Sequence, residues 1–282
     1  MTYVAKRDCF TCHHQALPMM ALAKAQAHEL TVQKDAIPTQ TSFTLEYFED
    51  RLDRLPKGHG VPGGPYTAGY ALAALAAAKS PPDIRTQALA NYLLKTQHKD
   101  GSWRIRTHRP PLEDSHFTAT ALAIHGLETY HQCESEAPLD KARQWLRNAQ
   151  PKSTEDHAFA LLAHHWAGLD TQAPATALLQ FRHDDHGWSQ LPGMDSDAYA
   201  TGQALAALRA TDNLPQNSLT HAKSVQWLLD NQRPDGSWQV RTRSKPIQKY
   251  FESGFPHGKD QFISISATCW AILALLPQPS LP

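Results

Sequence analysis

Two kinds of helical segment alternate along this chain. One kind is apolar nearly all round. Asp195-Ser-Asp-Ala-Tyr-Ala-Thr-Gly-Gln-Ala-Leu-Ala-Ala-Leu208 lays residue for residue on Asp114-Ser-His-Phe-Thr-Ala-Thr-Ala-Leu-Ala-Ile-His-Gly-Leu127, matching at Asp, Ser, Ala, Thr, Ala and Leu. Further copies are Thr67-Ala-Gly-Tyr-Ala-Leu-Ala-Ala-Leu75, a segment from Asp156-His-Ala-Phe to Leu169, and Ser266-Ala-Thr-Cys-Trp-Ala-Ile-Leu-Ala-Leu275. A helix without a polar face has to be walled in on every side, so these segments are predicted to be core. Between them lie more ordinarily amphipathic segments, Ile84 to Thr96, Leu139 to Ala149, Pro174 to Phe181 and Leu219 to Asn231. The copies end at 75, 127, 169, 208 and 275, which is 52, 42, 39 and 67 residues apart and in or near the range of helical-pair repeats. Counting Cys12 to Ala27 as the first gives six inner helices, starting near 13, 67, 114, 156, 195 and 264. The pattern predicts an all-α fold, one (α/α)6 toroid over residues 1–282, with six inner and about six outer helices and the last pair packed on the first. An open superhelix would expose two apolar ends and need polar capping repeats, which neither end provides.

A second device follows the outer helices. Tyr92-Leu-Leu-Lys-Thr-Gln-His-Lys-Asp-Gly-Ser-Trp103 and Trp227-Leu-Leu-Asp-Asn-Gln-Arg-Pro-Asp-Gly-Ser-Trp238 are near copies, Leu178 to Trp188 is a degraded third, and Trp145 to Gln150 keeps only the aromatic-to-Gln spacing. Asp-Gly supplies a turn ending the outer helix, Trp plugs the gap to the next repeat, and Gln can bond the open carbonyls at the helix end. This Gln-x-x-Asp-Gly-Ser-Trp device resembles the QW repeat of the squalene/oxidosqualene cyclase and prenyltransferase superfamily, over most of the chain from about residue 60. Asp195-Ser-Asp197-Ala198 resembles the Asp-x-Asp-Asp signature of class II terpene cyclases, with Ala198 where the third Asp falls. The resemblance implies a toroid with an apolar cavity for an isoprenoid or other small hydrophobic molecule, and Asp197 as the general acid that protonates it.

Composition changes the picture mainly by exclusion. Of 282 residues 41% are apolar, ample for a core. Net charge is zero, so the cationic surplus of a nucleic-acid binder is missing. No run of about eighteen apolar residues occurs, and no transmembrane segment is expected. The first residues lack the apolar stretch of a signal peptide.

The sharpest local motif is Cys9-Phe-Thr-Cys12-His13, followed by His14. Cys-x-x-Cys-His is the attachment pattern of c-type haem, with two thiols to add to the vinyl groups and an adjacent imidazole for the iron. Cys9, Cys12 and His13 then predict covalent haem c, a redox or electron-transfer role with a redox partner, and a periplasmic or secreted location; without haem a cytoplasmic one is expected. His14, His116, Met19 and Met20 are distal-ligand candidates by type. The alternatives are a zinc or other metal site using Cys9, Cys12 and His13 or His14, and a disulfide or inert thiol pair. Cys133 and Cys269 are expected to be buried core thiols.

The inner helices of such a toroid run the same way, so their N-termini gather at one mouth. Those starts carry His13, His14, Asp114, His116, Asp156, His157, Asp195, Asp197 and Asp260. Asp114, Asp156 and Asp195 read as N-caps, which satisfy free backbone N–H groups. His116, His157 and Asp197 are left for metal binding, head-group binding or proton relay. A long aromatic loop, Tyr250 to Phe262, is expected over the same mouth, with Tyr250, Phe251, Phe255 and His257 lining a pocket next to Asp260. Three functions stand at this point: a haem-bearing redox toroid, an isoprenoid or lipid-processing enzyme, and a zinc-binding or non-enzymatic ligand-binding scaffold.

Overall fold

The computed structural model describes Tyr3 and residues 6–131, 136–247 and 249–277. Helices in chain order are α1 (Leu17–Ala27), α2 (Ala36–Glu49), α3 (Pro65–Ala77), α4 (Ile84–Thr96), α5 (His116–Tyr130), α6 (Glu136–Asn148), α7 (Thr154–Trp166), α8 (Gln172–Gln180), α9 (Ala198–Ala210), α10 (Leu219–Asp230) and α11 (Gln261–Leu275). A π-helical turn, Cys12–Ala16, leads into α1. The odd-numbered helices form the inner ring, each packed on the next, and α11 packs back on α1 to close it. The even-numbered helices lie outside. The predicted all-α toroid is therefore observed, with five outer helices rather than about six among the described residues. Among those residues no helix is long and apolar enough to cross a membrane.

The two sequence patterns mark the two layers. Helix α9 buries twelve of its thirteen residues, whereas α10 buries only Ser224 and Leu228 of its twelve. Small residues let the inner helices touch backbone to backbone. At Gly202 an added Cβ would lie 2.8 Å from the backbone of Trp270 and Ala271 on α11, which only glycine tolerates without a shift.

Trp103, Trp188 and Trp238 are buried at corresponding places and make the same bonds three times. Each indole Nε1 donates to the carbonyl ten residues back, of Leu93, Leu178 and Leu228, at 2.7, 2.9 and 2.7 Å. Each backbone N–H donates to a threonine hydroxyl on the next inner helix, Thr120, Thr201 and Thr268, at 2.9–3.0 Å. The Trp thus ties the end of one outer helix to the following inner one. The glutamine does a different job from the one expected: Gln97 and Gln232 donate to Gly101 and Gly236 of their own turns, both at 2.9 Å. Gln97 also donates to Pro138 O in the next outer helix at 2.7 Å. Cys269 is a buried thiol, as expected, while Cys133 lies outside the described residues.

Candidate functional site

The inner helix starts are capped by residues other than the expected ones, and this decides which side chains face the ring. Ser115, not Asp114, caps α5, and Ser153, not Asp156, caps α7. Ser153 Oγ accepts from Asp156 N at 3.1 Å, while the Asp156 carboxylate accepts from Ser153 N at 3.2 Å and from Ser115 Oγ at 2.6 Å. With cap and third position occupied by each other, Glu155 is carried about 100° round the helix to the inside of the ring.

Glu155 is the chemical centre of that interior. Its Oε1 accepts from Thr118 Oγ1 on α5 at 2.6 Å, and its Oε2 accepts from Tyr199 OH and Gln203 Nε2 on α9, both at 2.8 Å. It is 4% exposed, and burial pushes its pKa up to about 7 against the pull of the three donors. At neutral pH the group is therefore poised between acid and carboxylate. Tyr66 and Tyr70 on α3 stack edge to face at 4.9 Å, and Tyr66 OH donates to Cys12 Sγ at 3.3 Å. Tyr66, Tyr70 and Tyr199 are all fully buried, so four inner helices and the π-helical turn contribute to one polar, aromatic interior. Sequence reasoning passed over Glu155 and these tyrosines.

Above this layer a cavity of about 340 Å³ opens at the mouth. It lies between the segment leading into α5 and a strap, residues 241–247 and 249–250, that precedes α11. Ser244 Oγ donates to Pro110 O across it at 2.6 Å. Leu112, Phe262 and Ile263 supply apolar wall, His13 and the Arg109–Glu113 ion pair flank it, and Lys245, Lys249, Lys259 and Tyr250 stand at its edge. Glu113 is buried and also accepts from Thr107 Oγ1 at 2.6 Å.

The residues predicted to share a site are dispersed. Asp197 is the N-cap of α9, accepting from Tyr199 N at 2.9 Å and Ala200 N at 3.0 Å, so the role denied to it is the one it has. Burial nonetheless pushes its pKa up to about 6. It opens on a polar groove with Gln239 and Arg241, not on the apolar cavity. Asp195 is exposed on the preceding turn, and Asp114 is exposed and paired with His108. His116 is exposed, its Nδ1 accepting from Ile105 N at 3.3 Å. His157 is buried against Phe181 at the end of α8, 4.2 Å between centroids, and so faces the outer layer. Of the four loop residues expected to line a pocket, Tyr250, Phe251, Phe255 and His257, only Tyr250 lines the cavity, joined there by Lys259 and Phe262 from the same loop. Phe251 packs on Phe262 and Tyr3, Phe255 lies against His257, and His257 bonds Ser237 Oγ at 2.6 Å. Asp260 accepts from Thr242 N at 2.8 Å and holds the strap.

The Cys-x-x-Cys-His segment is folded in a way that does not fit haem or zinc. Cys12 is 4% exposed, its Sγ is engaged by Tyr66, and burial pushes its pKa up to about 12, far from a thiolate. Cys9 Sγ lies 3.5 Å from Tyr3 OH, and neither cysteine lines the cavity. Both thiols, with that of Cys269, are free. His13 and His14 turn their Nδ1 atoms toward each other, Tyr3 stacks on His14 at 4.3 Å, and Phe262 packs against both rings. Burial keeps both imidazoles neutral, with His14 lowered to about 4. Among the described residues no three metal-ligating side chains group together.

The ring, its Trp ties and its tyrosine-walled interior define an α/α toroid of the prenyltransferase type. Residues 56–247 match the family described as "Prenyltransferase alpha-alpha toroid domain", and the chain belongs to that family. It is similar to the squalene–hopene cyclases of Bradyrhizobium diazoefficiens, 27% identical over 188 residues, and Zymomonas mobilis, 26% over 197 residues. Those stretches are 64% and 67% of this chain but only 23% and 24% of the cyclases, so the match spans about a quarter of the curated relatives' length. In fold it is similar to the type II terpene cyclase MstE from Scytonema in complex with geranylgeranyl dihydroxybenzoate, its substrate. There the TM-score is 0.61 at 16% identity, with 93% of this chain and 85% of that one covered.

Proposed function

We propose that this toroid binds an isoprenoid-type small molecule through the mouth cavity and transforms it by proton transfer, with Glu155 as the acid. The observation that carries the reading is Glu155 itself: a carboxyl with a pKa of about 7, held by Thr118, Tyr199 and Gln203 among buried tyrosines in a prenyltransferase-type toroid. In such a step the Glu155 O–H bond breaks as a C–H bond forms on one alkene carbon. The cation is left on its neighbour and the carboxylate on the three donors already in place. The faces of Tyr66, Tyr70 and Tyr199 favour the cation electrostatically, and loss of a proton from an adjacent carbon closes the sequence. The strap has to lift for a chain to reach Glu155, and three side-chain bonds hold it down, Ser244 to Pro110 O, Arg243 Nε to Gln190 Oε1 at 2.6 Å, and Thr242 N to the Asp260 carboxylate. Asp197 is the second candidate acid, favoured by its pKa of about 6 and by its place in the acidic signature.

The test is incubation with geranylgeranyl dihydroxybenzoate and with squalene, followed by mass spectrometry of the extract. Conversion that Glu155→Gln abolishes, and that Asp197→Asn leaves largely intact, is expected. Conversion untouched by Glu155→Gln but lost in Asp197→Asn would transfer the acid role, and no conversion of either compound would remove the enzymatic reading.

A further inference from the structure

A second cavity, also of about 340 Å³, opens beside the start of α9, and its chemistry is unlike that of the mouth. Its walls are the first residues of α9, the end of α10 and the extended segment around Trp238. In that segment Trp238 and Val240 are buried while Gln239 and Arg241 stand out, the alternation of an extended chain. Val240 N donates to Ser264 Oγ at 3.1 Å and Thr242 N to the Asp260 carboxylate at 2.8 Å, so Arg241 is presented between two fixed points. Trp227 supplies an aromatic wall. Its Nε1 donates to Asp185 Oδ2 at 3.0 Å, and its ring passes so close to Gly187 that a Cβ there would lie 2.9 Å from Cε2. The indole is pinned at edge and flank, yet it is only half buried. Donors and acceptors surround it. Asn231 commits its Nδ2 to Trp227 O and leaves Oδ1 to accept, while Gln239 commits its Oε1 to Arg233 and leaves Nε2 to donate. Asp230 gives one carboxylate oxygen to Gln226, and Asp197 gives one to the N–H groups of its helix start.

Two carboxylates, Asp197 and Asp230, and two guanidiniums, Arg233 and Arg241, leave the groove without net charge, so an ion has little to gain there. A lipid chain has less, since apart from Trp227, Ala198 and Val240 the lining is polar. What matches donors, acceptors and one aromatic face together is a ring whose edge carries hydroxyls, each able to donate and accept, and whose face carries C–H groups. We propose that this groove binds a neutral sugar ring, its C–H face on Trp227 and its hydroxyls shared among Asp197, Asp230, Asn231, Gln239 and Arg241. The proposal is independent of the isoprenoid reading, which uses the other cavity. It gives Asp197 a ligand-binding task at the place where the acidic signature falls.

The experiment is saturation-transfer NMR and calorimetric titration of the full chain with the methyl glycosides of glucose, galactose, mannose and N-acetylglucosamine. Sodium glucuronate and glucosamine hydrochloride serve as charged counterparts, and cyclohexanol as a ring without the hydroxyl edge. Trp227→Ala, Trp227→Phe and Arg241→Gln are titrated alongside, with helical circular dichroism as a fold check. The expected result is that at least one neutral glycoside binds with a Kd of about 1 mM or tighter, with saturation strongest on the C–H protons of one face. Trp227→Ala and Arg241→Gln should each weaken it about tenfold, the loss of a ring contact or of a charge-assisted bond, and Trp227→Phe should keep most of the affinity. Should Trp227→Ala fail to fold, the exposed Arg241→Gln carries the test alone. No binding of any of the four glycosides overturns the proposal, and so does an affinity unchanged in the variants that fold. Tighter binding of glucuronate or glucosamine than of every neutral glycoside would make the groove an ion site, and equal binding of cyclohexanol an apolar one; either result sinks the sugar assignment.

Discussion

Replacing Glu155 with glutamine keeps the shape of the side chain and removes its proton equilibrium. Burial raises the carboxyl from its ordinary 4.5 to about 7 in the folded chain. Between those values the folded protein holds a proton that the unfolded chain has released. The contribution of this group is therefore complete below about pH 4.5 and is lost as the pH rises through about 7. At about 1.4 kcal/mol per pH unit, the rise from 4.5 to about 7 sets that loss at about 3 kcal/mol. Wild-type stability alone would hide it, because His14 and His125 act in the opposite direction. Their pKa values are lowered from 6.5 to about 4, so their contribution is present above pH 6.5 and is lost on acidification. The difference between wild type and Glu155→Gln cancels them. Urea unfolding of both proteins from about pH 5 to about pH 8 should show the wild-type advantage shrinking by roughly 2.5 kcal/mol across the range. An advantage constant to within about 0.5 kcal/mol would mean that Glu155 titrates normally, and the acid role proposed for it would go with it.

Two further outcomes bear on the fold. Trp103→Ala or Trp238→Ala removes a buried ring together with its bond to Leu93 O or Leu228 O, and should cost roughly 3–5 kcal/mol in chemical denaturation; a loss below about 1 kcal/mol at both would undo the repeat assignment. Iodoacetamide on native protein, read by peptide mass, should alkylate Cys9 well ahead of Cys12 and Cys269, which are buried and hard to ionise. Native labelling of Cys12 as fast as Cys9 contradicts its placement against Tyr66.

The ring could be read from the chain because its physics is local: a helix that is apolar on every side has one kind of home, and the Asp-Gly-Ser-Trp turns mark where each pair ends. The first outer helix, α2, went unread because Ala-Ile-Pro-Thr-Gln-Thr-Ser-Phe is rich in helix-neutral polar residues and carries Pro38 in its first turn. The interior was harder for a sharper reason. Asp and Ser both cap helices, and in Asp-Ser-His and Ser-Thr-Glu-Asp the choice between them fixes which residue turns inward. Placing the caps on Asp114 and Asp156, where Ser115 and Ser153 hold them, put His116 and His157 inside and left Glu155 out. A usable signal was present in Glu155 itself, a carboxylate in the first turn of a helix with no other need for water. The lysines of 245–259 gave no periodic pattern, because a strap between helices has none. What Cys9-Phe-Thr-Cys12-His13 does could not be read from the motif alone, because thiol chemistry depends on burial, and burial is a property of the ring.

The contact of α11 with α1 gives the molecule a different folding problem from that of an open array. Lys24 Nζ donates to Leu273 O at 2.9 Å, and His28 Nε2 bonds Pro277 O at 2.7 Å, each across 249 residues of chain. A linear stack of helical pairs can nucleate anywhere and lose an end repeat without disturbing the others. Here the first helix has a bare flank until the last has left the ribosome. Closure ties the two ends of the chain into one ring, so that its last contacts span nearly the whole sequence and its stability is a property of the circle and not of any one segment.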